Sequence, residues 1–147
     1  MEILKKESYV RAIENSVGSR LFNSLLVRFG DSQEVKDILN DGELSCAYFV
    51  SSLLVMHDAL RQTHTTVANL KKALSENPKW SEVPLENVEA GDVVFYKKRT
   101  FADGSGNAHV GFVLNKDEAV STDYQKKAVS KHKLDYTPIE SVWRCEF

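Results

Sequence analysis

The chain has little with which to cross-link, stiffen or divide itself. Two cysteines, Cys46 and Cys145, are too few for a disulfide framework, and no CxxC pair is present. Reduced thiols in a reducing compartment are therefore expected. Three prolines and seven glycines in 147 residues leave no Pro/Gly-rich linker, and no internal repeat or low-complexity tract breaks the chain. No segment approaches 18 consecutive apolar residues, which argues against a membrane span. The opening MEILKKESYVRAIENS lacks an apolar stretch followed by a small-residue cleavage site. A cytoplasmic location is the expectation, with export by a signal-independent route as the alternative. Charge of one sign is also missing: 19 Lys+Arg face 21 Asp+Glu, a net of -2, where a nucleic-acid binder normally carries a positive surplus. Neither nucleic acid nor membrane is an expected partner.

What is present suffices for a core. Hydrophobic residues at 42% and charged residues at 27% match globular averages, which excludes wholesale disorder. A chain of this length buries roughly 70% of its unfolded surface without staples. One domain over 1–147 is expected, with a helical part over about 1–78 and a sheet part over about 80–147.

Tyr9, Ile13 and Val17 recur at helical spacing, as do Leu21, Leu25 and Phe29, with Gly30 as a stop. Ser32 is read as the cap of a short helix through Leu39, ended by the turn Asn40-Asp41-Gly42. SCAYFVSSLLVMHDALRQ is the strongest helix, with Cys46, Phe49, Val50, Leu53, His57 and Leu60 on one face and Ser45 at the N-cap position. A further helix covers Val67 to Glu76 and ends at Asn77-Pro78. From Trp80 the period changes. DVVFYKK, HVGFVLN, EAVST, KAVSKH and SVWRC are short, β-branched and aromatic-rich. Helices followed by strands predict an α+β fold with an antiparallel sheet. KKRTFADGSGNA reads as a polar loop between the first two of these strands, and its Gly104-Ser105-Gly106 lacks the flanks of a phosphate-binding loop.

Cys46 stands at the start of the amphipathic helix, where unpaired N–H groups and the macrodipole favour a thiolate. The competing reading is a small buried hydrophobe. His109 opens HVGFVLN. If Asn115-Lys116-Asp117 is a three-residue hairpin loop, Leu114 pairs with Glu118, Gly111 faces Ser121 and His109 faces Asp123. Alternation then puts His109, Ser121 and Asp123 on one face, whereas a two-residue loop sends Asp123 to the other. A thiol, a histidine and a polar orienting residue are the parts of nucleophilic thiol catalysis.

The blocks GELSCAYFVSS, VEAGDVVFY and HVGFVLNKDEAVS, over roughly residues 41 to 123, resemble those of NlpC-type cysteine peptidases and the related CHAP amidohydrolase/peptidase domains. The resemblance implies a papain-like fold, Cys46 as nucleophile and His109 as general base. Asp92 matches the acidic residue that begins the first core strand and is read as a turn residue. The family's third catalytic position falls on Ser121, where His, Asn or Gln is usual. Asp123 is expected to orient His109 more strongly, since a carboxylate also stabilises the imidazolium. Ser45 replaces the Asp that precedes the nucleophile in many peptidoglycan-cleaving members.

The implied function is a cysteine-dependent peptidase or amidase acting on peptide or peptidoglycan-fragment substrates, including cell-wall-like amides. The alternatives are a non-catalytic papain-like binding module and a thiol acyltransferase. Ser45 and His64 are the expected substrate-binding residues. No cofactor is required, and four scattered histidines without ligand spacing make no metal site. His57 is read as a packed boundary residue, His132 as a surface residue on a basic strand end, and Cys145 as core filler. Lysines 126, 127, 131 and 133 are read as a solvated face.

Overall fold

Tyr9 and Ile13, one helical turn apart, are the buried stripe of the first helix, α1 (Lys5–Asn15), in the computed structural model, which describes residues 1–100, 102 and 106–147. The Tyr9 hydroxyl donates to the Gly91 carbonyl at 2.7 Å. Gly91 sits at φ +95°, and a Cβ there would meet the Tyr9 ring at 3.0 Å, so this contact needs glycine on both counts.

The segment after α1 departs from expectation. Instead of two helices, residues 26–37 form a hairpin of β1 (Leu26–Phe29) and β2 (Glu34–Asp37), paired antiparallel. A 3-10 turn at Gly30–Ser32 and a left-handed Gln33 reverse the chain between them. Leu21, Leu26, Phe29 and Val35 are exposed, so the helical spacing of Leu21, Leu25 and Phe29 has no core to face. Ser32 belongs to that turn and caps no helix. The Asn40-Asp41-Gly42 turn is present, with all three residues at positive φ.

The next helix, α2 (Cys46–Met56), is the most buried, with Ala47, Phe49, Val50, Leu53 and Leu54 inside. α3 (Val67–Ser75) is shorter, and the Thr66 hydroxyl caps it by accepting the Asn69 N–H.

Six strands follow: β3 (Trp80–Val83), β4 (Val93–Thr100), β5 (Gly106–Val113), β6 (Glu118–Asp123), β7 (Ala128–Lys133) and β8 (Ile139–Cys145). All five expected strands are among them. They form one antiparallel sheet in the order β3-β8-β4-β5-β6-β7. The expected polar loop KKRTFADGSGNA is largely strand instead: Lys97–Thr100 continue β4 and Gly106–Ala108 begin β5, while residues 101 and 103–105, with the Gly104-Ser105 pair, lie outside the described residues.

The fold is therefore α+β, as the switch of period implies. Tyr9, Phe49, Leu54, Leu70 and Leu74 from the helices pack against Val93, Phe95, Val110, Phe112 and Val120 of one sheet face. The opposite face carries a smaller cluster of Val94, Tyr96, Val113, Ala119, Leu134 and Val142. Cys145 is buried in the larger core, as expected. Among the described residues, no helix is long and apolar enough to cross a membrane.

Asp92 enters β4 as a buried carboxylate. Arg144 of β8 donates Nε to Oδ1 and Nη2 to Oδ2, each at 2.8 Å, and the Glu89 N–H donates to Oδ2. This paired fork ties the strand entry to the neighbouring strand and supports the turn role assigned to Asp92. Its loss is a stability test. Arg144→Ala leaves a carboxylate only 1% exposed without its counter-charge, at a cost of about 3 kcal/mol. Urea denaturation should show that loss as a lower midpoint, while Lys6→Ala at the exposed Lys6–Glu89 pair should move it little.

Candidate active site

The β5–β6 hairpin sets the site. Its loop has the three-residue form: Leu114 N–H donates to the Glu118 carbonyl, and the Asn115 side-chain oxygen accepts the N–H groups of Asp117 and Glu118. The ladder pairs Phe112 with Val120 and Val113 with Ala119. The ladder stops there, short of the expected Gly111–Ser121 and His109–Asp123 pairs, although Gly111 still lies against Ser121. Gly111 is needed there. A Cβ on it would meet the Val120 carbonyl oxygen at 2.8 Å and the Ser121 Cβ at 2.9 Å. Gly111→Ala should push Ser121 off the imidazole and lower turnover about tenfold, because such overpacking displaces neighbours rather than unfolding the chain. A crystal structure of the variant with Ser121 unmoved would contradict this.

Regular β5–β6 pairing ends at Phe112–Val120, and the start of α2 meets the strand edge left free. Leu114 N–H points toward β6, so by alternation Val110 N–H points the same way. It meets the Cys46 sulfur, as do the N–H groups of Cys46 and Ala47 at the helix start. Those three donors favour negative charge, but burial is the larger effect and pushes the Cys46 thiol above its ordinary value. The expected resting thiolate is thus corrected. Desolvation by the surrounding protein outweighs the helix N-terminus, and the isolated thiol is neutral.

His109 is half-buried, and desolvation pushes its imidazole down to about 4; neighbouring His132 acts in the same direction and Asp123 opposes. Its Nε2 lies 2.8 Å from Ser121 Oγ. Of the two residues expected to orient His109, Ser121 is the one at hydrogen-bond distance from the ring. Asp123 shares the face and acts on His109 through its charge alone, because its Oδ1 accepts the Gln125 and Lys126 N–H groups of the following turn.

The sequence reading missed three members of the site. His132 on β7, taken as a surface residue, places Nε2 2.7 Å from Ser121 Oγ and Nδ1 2.8 Å from the Lys133 carbonyl oxygen. Tyr96 on β4 pairs with His109 across the ladder, with ring centroids 5.9 Å apart. Tyr136 stands edge-on to both imidazoles, at 6.3 Å from His109 and 4.7 Å from His132. Burial raises the Tyr136 hydroxyl above its ordinary value, with Cys46 and Asp123 acting in the same direction and Arg99 opposing. The signal for His132 was available in the period-2 alternation of KAVSKH. Extending the β6 register (Ser121 with Ser130, Ala119 with His132) turns His132 to the Ser121 side.

The two expected substrate-binding residues are placed differently from each other. Ser45 is 1% exposed and donates its hydroxyl to the Gly42 carbonyl; it caps no helical N–H, so it braces the turn before Cys46. His64 is held by its backbone to the Ser51 hydroxyl, which accepts the His64 N–H at 2.8 Å and donates to the Ala47 carbonyl. Its side chain lines a groove with Leu60, Arg61, Asn69 and Lys72, away from Cys46 and His109. His57 follows α2 and packs on the Tyr9 ring, as expected of a boundary residue.

No protein-family model matches the chain, and no curated protein matches it in sequence. A solved structure described as NlpC2 from Trichomonas vaginalis superposes with a TM-score of 0.59 over 98% of this chain, at 10% identity. The chain spans about half, 49%, of that protein's length. The helix-then-antiparallel-sheet architecture of this chain is therefore an NlpC-like fold.

Proposed function

We propose that this protein is a cysteine-dependent amide hydrolase of papain-like type, acting on peptide or peptidoglycan-like amides through a Cys46 acyl-enzyme. The observation that carries the reading is a helix-start thiol met by the Val110 N–H of β5, with His109, the residue before Val110 on that strand, held at Nε2 by Ser121. With Nε2 engaged, Nδ1 of His109 is the nitrogen left to exchange a proton with the thiol.

Taken singly, both groups are neutral; the proton moves as sulfur attacks, since thiolate and imidazolium form side by side and stabilise each other. Attack forms the S–C bond and places negative charge on the carbonyl oxygen. The backbone N–H of Cys46 is the natural donor to that oxygen. Collapse breaks the C–N bond, and the His109 imidazolium gives its proton to the departing amine. Water then attacks the thioester carbonyl, with His109 taking its proton. The acid is released and the thiol restored.

A second reading is a papain-like module that binds without turnover, favoured by the buried, neutral thiol. A panel of short peptides and muropeptides separates the two. Hydrolysis that vanishes in Cys46→Ala supports the enzyme. Binding without products, equal in wild type and Cys46→Ala, supports the module. Product mass spectrometry also separates hydrolysis from transfer, because transfer leaves the acyl group on an acceptor.

A further inference from the structure

We infer that His132 is a positioning residue for this site, acting through Ser121 to fix which nitrogen of His109 is free to act as a base. The inference rests on the proposed role of His109, and its tests are chosen to stand apart from turnover. Three contacts form a chain: Lys133 carbonyl to His132 Nδ1 at 2.8 Å, His132 Nε2 to Ser121 Oγ at 2.7 Å, and Ser121 Oγ to His109 Nε2 at 2.8 Å.

The direction of each hydrogen bond follows from the first. A carbonyl oxygen only accepts, so His132 Nδ1 carries the proton. A neutral His132 then has a bare Nε2, which must accept, and Ser121 has one O–H to give it. Having donated, the Ser121 oxygen can only accept from His109, so His109 Nε2 carries a proton. His109 Nδ1 is left unprotonated, which is the state a general base needs. Serine alone could donate or accept at His109 and would select neither tautomer. His132, anchored on a backbone carbonyl, supplies the missing direction.

The same polarity makes the base sensitive to the charge of His132. A protonated His132 donates at both nitrogens, so Ser121 must accept from it and turn its own proton toward His109 Nε2. That moves the His109 proton to Nδ1 and removes the base. The groups facing His132 are Tyr96 from β4, His109 from β5, Ser121 and Asp123 from β6, and Tyr136 after β7. The Lys133 carbonyl on Nδ1 and, more weakly, the Asp123 charge favour the protonated form. Burial opposes it, which keeps the relay intact at neutral pH.

The test is the tautomeric state of both histidines, read by long-range 1H–15N correlation NMR on the 15N-histidine-labelled wild type at pH 7. The expected result is His132 protonated at Nδ1 and His109 protonated at Nε2. In Ser121→Ala, His132 should keep its tautomer while His109 loses its preference. His132 protonated at Nε2, or wild-type His109 protonated at Nδ1, overturns the inference. A second readout is the alkylation rate of Cys46 by iodoacetamide, which needs no substrate. His132→Phe should slow it about tenfold at pH 7, and His132→Gln, whose side-chain oxygen can accept from Ser121, should recover most of the rate. An unchanged rate in His132→Phe also overturns the inference. Turnover failing on every amide while both readouts hold would reject the hydrolase and leave the relay standing.

Discussion

Cys46→Ala is expected to abolish amide hydrolysis, with a fall in kcat on the order of a millionfold if the active-site groups act as a unit. The fold should survive, because Cys46 is a small, partly buried side chain at the rim of the core. Cys145→Ala should leave turnover near wild type, since that thiol packs in the core and lies on no path to His109. Steady-state kinetics on the best substrate of the panel, with circular dichroism to confirm folding, decides the point. Residual turnover in Cys46→Ala beyond about a thousandth of wild type would assign the chemistry to another group.

His109→Ala should be the next most damaging change, costing about three to four orders of magnitude in turnover by removing base and acid together. Its loss should also change how stability depends on pH. The folded imidazole titrates near 4 against an ordinary 6.5, so between those values the unfolded chain binds the proton and the folded one does not. Stability is therefore fully present above pH 6.5 and is lost as pH falls through 4, by about 3 kcal/mol at most for this group. Urea titrations at pH 4, 5.5 and 7 should show a flatter dependence in His109→Ala than in wild type. Equal slopes would mean that the imidazole is solvated and not held in the cleft. Within the same kinetic series, Ser121→Ala should be clearly worse than Asp123→Asn, because only Ser121 touches the ring.

The parts legible in the sequence are those governed by short-range chemistry. Asn115-Lys116-Asp117 carries its own side-chain turn signal, and that loop length set the register bringing His109, Gly111 and Ser121 to one place. Cys46 was legible as a helix start because the apolar stripe after it is long and the Asn40-Asp41-Gly42 turn precedes it. The hairpin at 26–37 was not, since its apolar residues fit a helical period and a two-stranded ribbon with exposed side chains leaves no alternation to read. The charge state of Cys46 was misjudged for a different reason. A helix N-terminus is visible in sequence, whereas the desolvation that outweighs it depends on how closely β5 approaches. His132, Tyr96 and Tyr136 come from three further segments and meet His109 only once the sheet is assembled.

The central claim is that Cys46 and His109 work as a pair, and the most direct measurement is the pH dependence of iodoacetamide labelling, resolved by peptide mass spectrometry. In the native protein, Cys46 should be labelled ahead of Cys145. Because burial holds its thiol neutral, the rate should rise with pH through the alkaline range. At pH 7, His109→Ala should slow labelling of Cys46 while leaving the fold intact. Preferential labelling of Cys145, or identical Cys46 rates in wild type and His109→Ala from pH 5 to 9, would show that the two side chains do not act together.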